Sequence, residues 1–175
     1  MPLHHPVYGN PAVILHNILG NSRFNPRTRG ELKADLLDRP LFKAQEMTFA
    51  SSHKKIVITA EIDDFGSTNH RAISLTLDIN IQSGIYLFKR GEAGPIRDMS
   101  YTECVKKDGV DAYQLIQADV GTLHLTVIES CYSAHLFTFE GTDPSKKDED
   151  DPSKQAPFEM CGDFKIIPPH ATFSS

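Results

Sequence analysis

Apolar residues fall on alternate positions through most of this chain. The clearest runs are Ile56-Val57-Ile58-Thr59-Ala60-Glu61-Ile62, Ala72-Ile73-Ser74-Leu75-Thr76-Leu77-Asp78-Ile79 and Leu123-His124-Leu125-Thr126-Val127. A period of two marks a strand with one face buried and the other wet. The pattern is strong again at 133–140, recurs at 31–37, 42–49, 84–88 and 158–166, and is weaker at 97–103 and 111–116. Turn-forming residues separate them: Asp38-Arg39-Pro40, Ser51-Ser52-His53, Asp63-Asp64-Phe65-Gly66-Ser67, Ser83-Gly84, Lys107-Asp108-Gly109 and the tight connection at Ser130-Cys131. Short strands recurring with no helix between them predict an all-β fold. The expected form is an antiparallel β-sandwich of about eight to ten strands, with barrel-like closure as the variant.

The first 30 residues break the pattern. They carry Pro2, Pro6, Pro11 and Pro26 and no alternation, which predicts an N-terminal arm. Asn10-Pro11 could cap at most one short helix there, stopped by Gly20. Residues 31–168 then form the β domain, and 169–175 a tail after Pro168-Pro169. Within the domain, 141–157 is the most polar stretch and reads as a long mobile hairpin loop. The last strand passes through Gly162, where a bulge is expected.

The order of these pieces resembles a family of uncharacterised bacterial cell-envelope β-sandwich domains. The likeness rests on Glu31-Leu32-Lys33-Ala34-Asp35-Leu36-Leu37-Asp38-Arg39-Pro40-Leu41-Phe42-Lys43-Ala44 as an opening hairpin and on Gly84-Ile85-Tyr86-Leu87. It continues through Gly121-Thr122-Leu123-His124-Leu125-Thr126, Leu136-Phe137-Thr138-Phe139 and Gly162-Asp163-Phe164-Lys165-Ile166. The resemblance implies a sandwich fold and an envelope setting, and it carries no catalytic residues. No export signal or lipid-attachment cysteine stands near the start, so the chain as it stands reads as cytoplasmic. A mature form of an exported protein is the other expectation.

Composition narrows the function classes. The chain has 175 residues and a formal net charge of −5. That balance argues against binding nucleic acid through phosphate neutralisation and against docking on anionic lipid. No apolar run approaches the roughly 20 residues of a membrane helix. The three cysteines, Cys104, Cys131 and Cys161, lack zinc-knuckle or redox spacing. They read as reduced core residues, with a Cys131–Cys161 disulfide as the alternative.

Candidate chemistry is sparse. His124 and His135 lie on neighbouring strands, and a hairpin centred near Ser130-Cys131 would place them side by side as candidate metal ligands, with no third ligand evident. Cys131 is the one thiol that local structure brings toward those histidines, hence a candidate reactive thiol. Asp148, Glu149, Asp150 and Asp151 form a charged loop suited to binding a partner, because four adjacent acids lack the alternate spacing of a calcium loop. No nucleophile elbow and no glycine-rich phosphate loop occurs. The expectation is therefore a non-enzymatic binding or protein-interaction domain with no cofactor, in the manner of an inhibitor, immunity or envelope accessory protein. Its partner would be another protein, or a second copy joined through an edge strand. The alternatives are a carrier with an apolar interior and a metal- or thiol-dependent enzyme.

Overall fold

The computed structural model describes residues 28–168. The proposed helix at the start of the chain lies outside these residues. Ten antiparallel strands occupy the described chain, and no helix interrupts them. They are β1 (Arg29–Leu36), β2 (Phe42–Lys43), β3 (Glu46–Ser51), β4 (Lys55–Ile62), β5 (Arg71–Asp78), β6 (Gly84–Lys89), β7 (Ile96–Lys107), β8 (Val110–Ile128), β9 (Cys131–Lys147) and β10 (Gln155–Ile167). Hydrogen bonds join them in the order β2-β1-β10-β9-β8-β7-β5-β4-β3, with β6 paired separately to β8.

This sheet curls over one main core as a half-barrel, with Ala50 and Val57 forming a small separate cluster. Alternate residues supply the core: Leu32, Ala34 and Leu36 from β1, Ile56 and Ile58 from β4, Ile73, Leu75 and Leu77 from β5, and Phe158, Met160, Phe164 and Ile166 from β10. Phe42, Tyr101, Phe139 and Phe158 are its largest fully buried side chains.

The curl depends on β8. Its first part, from Val110 to Gln117, pairs with β7. Its second part, from Val120 to Leu125, pairs on the same edge with β6. The opposite edge takes β9 from Ala118 onward. A register shift between Ala118 and Val120 marks the bend. Sequence periodicity splits this element in two at 117–120, but the strand is continuous.

The two ends of the sheet meet at one corner. The Ala44 amide donates to the Leu32 carbonyl of β1, and the next amide, Gln45, donates to the Glu61 carbonyl of β4. The chain thus passes from one limb of the sheet to the other within two residues. Gly30 permits the approach, since a Cβ there would fall 2.8 Å from the Met47 sulfur and 2.7 Å from the Lys165 carbonyl oxygen.

Two boundaries differ from expectation. β9 runs to Lys147 and β10 starts at Gln155, so the loop between them is 148–154 rather than 141–157. The strands there form a polar ribbon in which apolar alternation has nothing to bury, so the pattern does not register them. The bulge expected at Gly162 also falls differently. Phe137 pairs with Gly162 and Ala134 with Phe164, which leaves the extra residue in β9. Gly162 is needed for another reason: a Cβ there would sit 2.2 Å from the Lys33 carbonyl oxygen of β1.

Candidate functional site

Among the described residues, the core holds a cavity of about 10 Å³, lined by Leu32, Ile58, Met99, Phe137, Met160 and Phe164 among others. That is room for one water at most.

β6 is an edge strand. Among the described residues only β8 is hydrogen-bonded to it. A strand edge of this kind presents a row of backbone donors and acceptors to any extended segment that approaches. On β6 three side chains are directed outward: Ile85, 70% exposed, Leu87, 81% exposed, and Lys89, whose ammonium meets Glu92. The first two have the highest exposures of any large apolar residue described. Tyr86, between them, packs against the core and donates its hydroxyl to the Gln82 carbonyl. Ser83 ties the strand's start to β8, its Oγ accepting from the Val127 amide at 2.8 Å. Beside Leu87 an open groove of about 350 Å³ runs over Ala93, Val120, Thr122, Thr138 and Glu140. The edge, its two apolar side chains and this groove are contiguous.

The histidine pair lies on the same outer face. Ile85 of β6 pairs across to His124 of β8. His124 pairs with Leu136 and Leu125 with Ala134, so His135 is the extra residue of a β-bulge. The bulge falls where the register counted from the turn would set His135 opposite His124. His124 Nδ1 and His135 Nε2 stand 3.2 Å apart, with the rings nearly perpendicular. The pairing expected of these residues is therefore observed. No group of three or more His, Cys, Asp or Glu that could hold a metal occurs among the described residues.

Cys131 does not join them. It pairs with Ile128 at the start of β9, four residues and roughly 13 Å of extended strand from His135. Cys161 lies opposite Thr138, far along the ribbon from Cys131. All three cysteines are free, so the Cys131–Cys161 disulfide is not formed. They are not core residues either: Cys161 is exposed and the other two are partly exposed. Burial, with Asp111 nearby, pushes the Cys104 thiol up, away from the reactive thiolate.

The acidic loop is an ordered turn. Asp148 Oδ1 accepts from the amides of Asp150 and Asp151, at 2.8 and 3.0 Å. Asp151 Oδ1 accepts from the Ser153 amide and hydroxyl, and its Oδ2 meets Lys154 Nζ at 3.1 Å. These carboxylates are occupied with their own backbone. Glu149 shares the loop and is exposed. The loop starts eight residues beyond Glu140, which is in line with Lys89 of β6 through Val120, so it stands apart from the β6 edge.

A buried ionic cluster went unseen in the sequence. Arg39, from the β1–β2 turn, donates Nε and Nη2 to Glu103 of β7 and Nη2 to Asp143 of β9 at 2.7 Å. Its guanidinium lies over the Phe158 ring at 4.9 Å. Asp143 Oδ1 also accepts from Gln114 of β8 and from the Ser145 amide and hydroxyl. Tyr101 donates to Glu103 and accepts from Arg71 Nε, and Arg71 reaches on to the Pro40 carbonyl. Burial alone would raise the Asp143 carboxyl. The hydrogen bonds from Ser145 and Arg39 outweigh it and hold that carboxyl below its ordinary value. Burial also raises the Tyr101 phenol. Every polar group in the cluster is partnered, so it works as a clasp that holds the Arg39 turn against β5, β7, β8 and β9.

A second cluster surrounds His70, which is fully buried with its Nε2 3.3 Å from Glu61. Phe65 stacks on Tyr113 at 4.6 Å, and both rings meet His70 edge-on. It has one imidazole and one carboxylate, and Cys104, across from Tyr113, donates its amide to the His70 carbonyl.

No family model, curated protein or solved structure matches this chain.

Proposed function

We propose that this protein is a non-enzymatic protein-interaction domain whose partner adds an extended strand to the free edge of β6. The observation that carries this reading is the coincidence of an unpaired strand edge with the two most exposed large apolar side chains, Ile85 and Leu87. Strand addition uses these two parts together: backbone hydrogen bonds for affinity, alternate side chains for selectivity. The groove beside Leu87 and Val120 would take one side chain of the incoming strand. Exposed apolar residues on an unprotected edge are otherwise an aggregation hazard, which a bound partner removes.

A protein partner, of the inhibitor, immunity or envelope accessory kind, fits this edge. A second copy would use the same edge and is the homodimeric form of the proposal. The two limbs that share β8 are read here as the layers of a sandwich. The small interior cavity favours this surface over the carrier reading.

The test is parallel affinity capture with the wild-type chain and the I85K/L87K variant, both confirmed folded by circular dichroism, with sedimentation of each alone. The reading expects a protein, or self-association, seen with the wild type and lost with the variant. Identical capture and identical sedimentation would contradict it.

A further inference from the structure

We propose that His124 and His135 form a two-imidazole site for a divalent transition ion of the zinc, nickel or copper class. Counted from the 129–130 turn, the pairs from Ile128↔Cys131 to Leu125↔Ala134 lead to His135 directly across from His124, on the same face. The β9 bulge falls at that position, against both β8 and β10, so His124 pairs with Leu136 and His135 becomes the extra residue. The two imidazoles stay on one outer face, in contact.

Their spacing matches one ion. Two nitrogens at about 2.0–2.1 Å from a tetrahedral centre are about 3.3 Å apart. The facing ring nitrogens are 3.2 Å apart. To share a metal in place of a proton, both rings tilt so that their lone pairs converge on the ion rather than on each other. Imidazole suits zinc, copper and nickel, whereas calcium and magnesium prefer oxygen.

The protons balance as follows. As a hydrogen-bonded neutral pair, one facing nitrogen carries a hydrogen and the other accepts it. Metal binding requires both facing lone pairs, so the donor ring shifts its hydrogen to its far nitrogen. With no third protein ligand among the described residues, the remaining positions go to water or to a donor supplied by a bound molecule. Ile85, across from His124, puts those open positions beside the β6 edge. The site does not depend on the strand-addition reading.

The test is a zinc titration of the full chain carrying H4N and H5N, which removes the terminal histidine pair as a competing ligand. The imidazole signals are followed by nuclear magnetic resonance, with magnesium as the control. The proposal expects His124 and His135 to move together and saturate at one equivalent, with His53 and His70 unmoved and no response to magnesium. Adding H124N or H135N should abolish the saturable step. Both positions are on the outer face, so the fold should survive, which the unchanged His70 signal would verify. Zinc binding that persists in both variants, or a pair that never saturates, would overturn the proposal.

Discussion

Arg39 carries the largest single-residue consequence. Its guanidinium is almost fully enclosed, and both carboxylates it meets lie in the same enclosure. Arg39→Ala would leave Glu103 and Asp143 side by side without a cation, a change that costs about 3–5 kcal/mol for buried pairs. Urea denaturation of the variant should show that loss. The same cluster predicts acid sensitivity. Asp143 has its carboxyl depressed in the folded state, so it stabilises fully above the unfolded value of about 3.9. That contribution disappears as pH falls through the lower folded value. Asp143→Asn should therefore flatten the stability profile below about pH 4, measured by thermal unfolding across pH. None of this was legible in the sequence. Arg39 stood in a recognisable turn, but its partners lie 64 and 104 positions away, and nothing local points to them.

Strands were the most readable elements, because burial on one face imposes a period of two wherever the sheet covers core. The reading failed where that force is absent, in the polar ribbon of β9 and β10. The β8–β9 connection gives an element-scale prediction. Glu129 and Ser130 both have positive φ, 48° and 67°, the pattern of a two-residue turn that favours Asn-Gly. The double change E129N/S130G should stabilise the protein by about 1 kcal/mol by relieving left-handed strain, read as a raised melting temperature. Gly162→Ala should act in the opposite direction. Its Cβ would collide with the Lys33 backbone oxygen, forcing β1 and β10 apart at a cost of about 1–3 kcal/mol. The histidine pair was legible as a pair because the hairpin arithmetic across 129–130 is short. The bulge at His135 was not, since both flanks alternate normally.

At the scale of the whole molecule, the curl of one sheet explains where function can sit. Its interior is filled with side chains, one mouth is clasped by Arg39, and the two ends meet at Ala44–Gln45. β6 remains as an edge because β8 outlasts β7 and needs a second neighbour along its far half. A trace of this was present in Gly84-Ile85-Tyr86-Leu87-Phe88, apolar on both faces where a half-wet strand should alternate. Which edge stays open depends on long-range pairing, and periodicity carries no information about that. The I85K/L87K change should leave stability within about 0.5 kcal/mol, since neither side chain contributes to the core, while removing partner binding. Hydrogen exchange of the wild-type complex tests the account most directly. The account predicts that amides of Gly84–Lys89 gain protection when the partner is bound. Protection gained instead at 148–154, with β6 unchanged, would contradict it.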